Sequence, residues 1–362
     1  MFKSVLSLTL AAALGTASFG QTTLTAIPGE AAAAKYASIS QEILRAIEKG
    51  NEYLKSKQNP EGYWAQPSYP ALTALAVTAY MRDPANQGKP VPEYIRKGYD
   101  FILKSQKEDG SIFNRGMSSY NTAVCMMALL AANKEEYAPA ILKGRAYLIK
   151  QQNHFAPDNP YNGGIGYGDK QAPPIADLSN TSLALEAIYY SQKLAKDGKY
   201  GEQPDLDWNA ATEFINRCQQ NPAVNKEPWV SNDKSQLGGF VYRPGVSSAR
   251  DKKSAAFDKA EPPKAYGSMT YAGMQSLIYA NVDKNDPRVK LALKWLENSY
   301  SLDENPGMGV QGLYYYYQAM SKALSAMGID TLTLENGRKV DWRDELANKL
   351  ISIQKSDGSW VN

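Results

Sequence analysis

The sequence predicts an all-α protein built from repeated helix pairs, six of which can close a ring. One element recurs along the chain. It begins with a small residue, has an aromatic and an aliphatic residue three and four positions later and a Gln at eight, and leads into a Gly-x-aromatic turn. The element is clearest from Gly50 to Trp64, and its turn recurs from Gln354 to Trp360. After each turn an apolar helix carries Thr, a small residue and larger apolar groups at helical steps. Such repeats form arrays in which each unit buries a face against its neighbours.

Each unit therefore consists of an outer helix that ends at the Gln and an inner helix that follows the turn. Thr122, Cys125, Met126 and Leu129 show the inner pattern, in which small residues allow close helix approach. The sixth inner helix is missing, so either the ring is open, residues 22–40 fill the position, or the chain is truncated. The predicted outer helices are 41–58, 92–106, 138–152, 207–219, 287–300 and 342–354, and the predicted inner helices are 70–82, 119–132, 179–195, 268–280 and 312–327.

Three insertions interrupt the array. Residues 153–176 and 220–266 are rich in Gly, Pro or charge and read as long loops. Residues 331–341 differ, because Asn336-Gly337 stands between two short runs of strand-forming residues. That dipeptide favours a tight hairpin turn, so a small β-hairpin is predicted there.

The N-terminus has the features of a secretory signal. A basic residue near the start is followed by an apolar stretch and by small residues at Ser18-Phe19-Gly20. We expect residues 1–20 to be a signal peptide, 21–40 an extension and 41–362 one repeat domain. No segment has the length of apolar sequence that a membrane span needs. The expected location is secreted or periplasmic.

Composition limits the classes of partner. The net charge is +3, and acidic and basic residues alternate along the chain, so no nucleic-acid-binding face is expected. Cys125 and Cys218 lie in predicted helices of different repeats. A disulfide between them is not expected, because bridged Cα atoms lie within about 7 Å of each other.

The repeat resembles that of squalene and hopene cyclases and, more widely, the prenyltransferase and squalene-oxidase repeat family. The resemblance covers about residues 41–362 and is strongest at 50–64, 98–113 and 342–360. It implies an (α/α)6 toroid in which inner helices surround a central cavity. It also implies a structural role for the Gln and Trp of each turn, which would tie outer helices together.

The catalytic acid of those cyclases has no counterpart here. The family carries Asp-x-Asp-Asp-Thr at the start of an inner helix, and its middle Asp protonates the substrate. The matching segment retains Asp177, but Ser179 and Asn180 replace the next two acids before Thr181. A hydroxyl lacks the acidity to protonate an alkene. Asp177, Ser179 and Asn180 are therefore interpreted as a helix N-cap or, alternatively, as part of a ligand-facing polar cluster.

Other chemistries of the family also lack their residues. No Asp-x-Cys zinc pattern occurs, and the only His, His154, falls in a predicted loop, so neither a metal nor another cofactor is expected. Asp205 and Asp207 could form an acid pair, but Asp207-Trp208 and Asp341-Trp342 both open outer helices. Asp caps and the helix dipole account for both pairs.

Tyr side chains give the remaining clue to function. The chain has 24 Tyr, several of them at inner-helix starts, and Tyr314 to Tyr317 are consecutive. The favoured hypothesis is a non-catalytic exported protein that binds an apolar ligand, a glycan or a protein partner in a Tyr-rimmed cavity. The alternative is an isoprenoid-processing enzyme, a cyclase or transferase, with Asp177 as its candidate acid. The expected ligand-binding residues are Asp177, Ser179, Asn180, Tyr120, Tyr266, Tyr314 and Tyr315.

Overall fold

The computed structural model describes residues 30–168, 175–249 and 262–361. Within them the protein is mostly helical, with eleven α-helices and one two-stranded sheet, consistent with the predicted all-α class. The expected signal peptide lies outside the described residues. The helices are α1 (Glu30–Ser56), α2 (Pro70–Met81), α3 (Glu93–Lys104), α4 (Ser118–Ala132), α5 (Ala138–Lys150), α6 (Leu178–Lys196), α7 (Trp208–Cys218), α8 (Gly267–Tyr279), α9 (Pro287–Asn298), α10 (Leu313–Met327) and α11 (Trp342–Ile353).

Helix α1 differs from the prediction because it begins at Glu30 and not at 41. Its first turns lie in the segment that was expected to be an N-terminal extension. The run Glu30-Ala31-Ala32-Ala33-Ala34-Lys35 consists of strong helix formers, so local propensity carries the helix back beyond the repeat. None of the described helices is both long enough and apolar enough to cross a membrane.

The helices form an inner and an outer series. Helices α2, α4, α6, α8 and α10 pack side by side in chain order. Their buried residues are mostly small or apolar. Examples with no exposed surface are Ala71, Cys125, Ala184 and Leu277. Helices α1, α3, α5, α7 and α9 each pack against at least one inner helix, and α11 contacts α1.

Hydrogen bonds from Gln side chains join five of the six neighbouring pairs of outer helices. The Gln amide after one outer helix donates to the Gly carbonyl of its own turn and to a backbone carbonyl at or near the next outer helix. After α9, Tyr300 stands where the other units have the Gln. Its hydroxyl donates to the carboxylate of Glu345 in α11 at 3.1 Å. The last link runs from the end of α11 back to α1. The five Gln links are Gln58 to Tyr94 (2.7 Å), Gln106 to Ala140 (2.8 Å), Gln152 to Asp207 (2.8 Å), Gln219 to Arg288 (2.9 Å) and Gln354 to Ala46 (2.9 Å).

The turns also dock each unit on the next one. Gly358 has φ +86° and lies so close to α1 that an added Cβ would be 2.3 Å from the Lys49 carbonyl oxygen. Such a close approach requires Gly, which also adopts positive φ without strain. Four other turns show the same positive φ and the same approach to an outer helix, at Gly62, Gly110, Gly163 and Gly238.

Thr and Trp side chains fix the turn to the two helices of its own unit. The hydroxyl of Thr122 accepts a bond from the Ile112 amide at 2.8 Å, and three other turns repeat this bond. The indole N–H of Trp64 donates to Leu54, and that of Trp360 donates to Leu350. The indoles therefore bind carbonyls at the ends of α1 and α11, which supports the structural role predicted for them.

The predicted hairpin is present. Strands β1 (Thr331–Thr333) and β2 (Lys339–Asp341) pair antiparallel, with Leu332 opposite Val340. The turn between them contains Gly337 at φ +81°. Asp341 then accepts the amide of Asp344 and caps α11, so the hairpin leads directly into the last outer helix.

Candidate functional site

The candidate site lies where the inner helices begin. Five partly exposed side chains meet there, and we call them the hydroxyl cluster: Tyr120, Tyr167, Ser179, Tyr242 and Tyr315. The hydroxyls of Ser179 and Tyr315 are 3.4 Å apart, and those of Tyr167 and Tyr242 are 3.3 Å apart. Tyr120 interacts electrostatically with both Tyr315 and Tyr167, and so connects the two pairs.

Backbone bonds hold the two loop tyrosines against the inner helices. The carbonyl of Tyr167 accepts the Ser119 amide at the start of α4, and the carbonyl of Tyr242 accepts the Leu178 amide at the start of α6. These amides belong to first helical turns, which have no acceptor within their own helix. The two loops therefore satisfy the helix ends and place their Tyr side chains in the cluster.

Asp177 caps α6, as one of the two sequence interpretations predicted. Its Oδ1 accepts the Asn180 amide and its Oδ2 accepts the Asn180 side chain, each at 2.8 Å. The residue is 2% exposed. Burial raises the pKa of Asp177 to about 6, although the bonds from Asn180 and Tyr242 oppose that rise. The carboxyl group is thus enclosed and already hydrogen-bonded.

The tyrosine hydroxyls in the cluster are partly desolvated. Burial raises the pKa of Tyr315 to about 12, and the Asp177 charge adds to the rise, while bonds from Ser179 and Ser182 oppose it. The pKa of Tyr120 is also raised to about 12, mainly by burial. Both side chains therefore stay protonated near neutral pH and can donate as well as accept hydrogen bonds.

Of the two remaining expected tyrosines, Tyr266 lies beside the hydroxyl cluster and Tyr314 does not. Tyr266 is buried beside the cluster, where it interacts electrostatically with Tyr315 and Asp177 and bonds to Ser248. Tyr314 points elsewhere, because its hydroxyl donates to the Val361 carbonyl at 3.3 Å. Successive helical residues are separated by about 100°, so only some of four consecutive tyrosines can face one site.

A second polar bridge lies deeper between α6 and α10. Glu186 and Lys322 form an ion pair at 2.8 Å, and both side chains are largely buried. Glu186 follows Ser179 by seven residues in α6, and Lys322 follows Tyr315 by seven residues in α10. Two helical turns therefore separate this ion pair from the Ser179–Tyr315 pair. Helices α6 and α10 each pack on α8, and their side chains meet across the interior.

Buried polar atoms add to this polar interior. Asn180 Oδ1 and Ser119 Oγ have no hydrogen-bond partner among the described residues. Gln275 is 6% exposed and donates to the Tyr279 hydroxyl at 2.6 Å. Polar groups in such places are normally paired with protein or ordered water, so this interior is suited to water or a hydroxylated molecule.

Of the expected site residues, the structure brings together Asp177, Ser179, Asn180, Tyr120, Tyr266 and Tyr315, and it places Tyr314 apart. Tyr167, Tyr242, Glu186 and Lys322 were missed. The two tyrosines come from loops without periodicity, although both closely follow a Gly-rich turn. The ion pair joins residues 136 positions apart, and no local pattern indicates it.

The described ranges contain no group of three or more His, Cys, Asp or Glu side chains arranged to hold a metal ion. His154 is an exposed loop residue. Cys125 and Cys218 are free, and burial raises the pKa of both thiols. A comparison with models of known protein families finds no match for this chain.

Proposed function

We propose that this chain is an exported, non-catalytic α/α toroid that binds a hydroxyl-rich ligand, a glycan, at the hydroxyl cluster. The observation that carries the proposal is the pair of polar bridges across the interior, Ser179 with Tyr315 and Glu186 with Lys322. An apolar ligand would have to separate both bridges and leave their groups unpaired, which is unfavourable above all for the largely buried charges of Glu186 and Lys322. A glycan offers hydroxyls that pair with them.

The toroid rests on the order of the links between outer helices. Each link joins one outer helix to the next, and the bond from Gln354 to Ala46 together with the docking of Gly358 on Lys49 returns the series to α1. Six outer helices linked in this cyclic order, with inner helices packed in the same order, support a closed ring. The inner-helix starts would then converge at one end, where the hydroxyl cluster lies.

The glycan is favoured over the other ligands for chemical reasons. Tyrosine rings provide flat faces and hydroxyls that both donate and accept, and Ser179 and Ser182 add short hydroxyls beside Tyr315. Export, proposed from the signal-like residues 1–20, would place the protein where glycans are abundant.

An isoprenoid-processing enzyme is the second candidate, and Asp177 is the observation that favours it. The carboxyl group is buried at the start of an inner helix, where the resembling cyclases carry their acid segment. Its chemistry counts against that role. A carboxylic acid with a pKa near 6 is weaker than an ordinary Asp, and both of its oxygens already accept bonds from Asn180.

Two assays test the proposal together. The first measures calorimetric binding of cellohexaose, maltohexaose and chitohexaose to the wild type, to Tyr315→Phe and to Ser179→Ala. We expect one hexasaccharide to bind and each variant to bind it about tenfold more weakly, the usual effect of one lost hydrogen bond in a site. The second incubates the wild type with squalene and shorter isoprenoids and analyses the products by mass spectrometry. Products that disappear in Asp177→Asn would overturn the proposal.

A further inference from the structure

A hollow of about 500 Å³ lies beside the first Gly-x-aromatic turn, separate from the hydroxyl cluster. We call it the first-turn pocket. Its size is within the range of small-ligand sites. The residues of its wall that matter below are Tyr53, Lys57, Asn59, Tyr63, Trp64 and Ala65.

The first turn departs from the other turns at the residue after the Gly. In four turns that position holds a small residue. These residues are Ser111, Gly164, Gly239 and Ser359. Ser111 and Ser359 bond to the Asp two residues before them, and a Cβ at Gly164 or Gly239 would collide with neighbouring side chains. In the first turn the position holds Tyr63, which is partly exposed. The repeat therefore does not require an aromatic residue here.

The backbone departs from the repeat two residues later. Ala65 has φ +61°, whereas none of the residues that stand at this position in the other turns (Phe113, Gly166, Val241 and Val361) is among the described residues with positive φ. A left-handed conformation costs a non-Gly residue about 1–2 kcal/mol. Strain of this kind is kept mainly where a site needs a particular backbone path. Both departures thus fall in the wall of one pocket.

The side chains of the pocket combine aromatic faces with hydrogen-bond donors. Trp64 is buried and fixed by its indole bond to the Leu54 carbonyl at 2.7 Å, whereas Tyr63 is partly exposed and its ring centre lies 5.4 Å from that of Phe101. The Lys57 ammonium lies 5.1 Å from the centre of the Tyr53 ring. Hydrogen bonds from Ser359 have the largest effect in lowering the pKa of Asp357, and the Lys57 charge also helps to lower it, so a carboxylate already lies near this ammonium group.

We infer that the first-turn pocket is a carbohydrate-binding site, in which a neutral sugar ring stacks on Tyr63. A pyranose has an apolar face of C–H groups and a rim of hydroxyls, and these match an aromatic wall with Lys57 and Asn59 at its edge. This inference is independent of the proposed function, because it uses none of the residues of the hydroxyl cluster.

The test exploits the repeat itself. Tyr63→Ser gives the first turn the residue that two other turns already carry, so we expect the variant to fold with an unchanged circular dichroism spectrum. Binding of cellohexaose, maltohexaose and chitohexaose is measured by calorimetry for the wild type, Tyr63→Ser and Ser111→Ala. Loss of one aromatic stack should weaken binding of the preferred hexasaccharide about tenfold in Tyr63→Ser. The Ser111→Ala variant should bind as the wild type does, since Ser111 holds the same position in the second turn and lies outside the first-turn pocket.

Three results would overturn the inference. One is the absence of hexasaccharide binding by the wild type at millimolar concentrations. Another is binding that Tyr63→Ser leaves unchanged and Tyr315→Phe abolishes, which would assign the sugar to the hydroxyl cluster alone. The third is binding of a decaproline peptide, weakened by Tyr63→Ser, in place of any sugar. Weakening by Tyr63→Ser without any effect of Tyr315→Phe would support this site and contradict the proposed function.

Discussion

Replacing Gly358 by Ala tests whether the last turn docks on the first outer helix. Gly358 has φ +86°, so Ala there bears the left-handed strain of about 1–2 kcal/mol. The new Cβ would also stand 2.3 Å from the Lys49 carbonyl oxygen, where a rigid backbone has to shift. Overpacking of this kind costs about 1–3 kcal/mol more. The expected loss of unfolding free energy is therefore about 2–5 kcal/mol.

Gly337→Ala provides a matched control. Gly337 has a similar φ of +81°, but an added Cβ would meet nothing within 4 Å. The control should lose only the strain energy, about 1–2 kcal/mol. The difference between the two variants thus isolates the contact between the last turn and α1.

Urea unfolding followed by circular dichroism measures both variants, and the slope of the transition should stay unchanged if only stability differs. A third variant, Gly110→Ala, introduces the same clash between two consecutive units, at the Lys143 carbonyl. Equal midpoints for Gly358→Ala and Gly337→Ala would refute the closing contact. A loss for Gly358→Ala that approaches that for Gly110→Ala would show a closing junction as firm as an internal one.

Three other predictions concern the links and the interior. Gln219→Ala should lose about 2 kcal/mol in urea unfolding, because a buried carbonyl at Gly238 and a partly buried one at Arg288 lose their donor; an unchanged midpoint would contradict the link. For Asp177 the folded pKa is raised to about 6, so its contribution to stability is full at low pH and declines as the pH rises through 6. The stability of the wild type relative to Asp177→Asn should therefore fall by about 2 kcal/mol between pH 4 and 7, whereas a constant difference would exclude the shift. Glu186→Gln should cost about 3 kcal/mol by leaving Lys322 unpaired, and Lys322→Gln in the same chain should recover most of it; a loss without recovery would mean that the pair is not coupled.

The sequence predicted the helices well because the repeat carries two independent signals in every unit. The Gln and Gly fix where an outer helix ends, and the Thr pattern fixes where an inner helix begins. Helices α2 to α11 consequently lie within a few residues of their predicted bounds. The start of α1 was wrong, since the segment at Glu30 is helical by composition and has no counterpart in the repeat.

The candidate site was only partly predictable. Ser179 could be located because it lies at the predicted start of an inner helix, two residues before the Thr of the repeat, and the cap at Asp177 followed from residue type. The choice of Tyr315 and not Tyr314 for contact with Ser179 depends on the rotation of α10, which the run of tyrosines does not encode. Tyr242 enters from a loop, and its position is set by a backbone bond to Leu178 that no sequence pattern reveals.

The Gln links have a consequence for how such a chain can diverge. In all five, the acceptor on the neighbouring unit is a backbone carbonyl, which every amino acid provides. The acceptor residues are accordingly unrelated: Tyr94, Ala140, Asp207, Arg288 and Ala46. The residue that accepts each bond can thus change while the Gln keeps its link.

At the junction between α9 and α11, by contrast, both the donor and the acceptor are side chains. There the hydroxyl of Tyr300 binds a side chain, Glu345, so a substitution at either position removes the link. Substitutions at these two positions should therefore occur together, whereas each Gln can keep its link through any change of residue type opposite it. The joint between α9 and α11 therefore depends on two matched side chains, whereas each Gln joint depends on one.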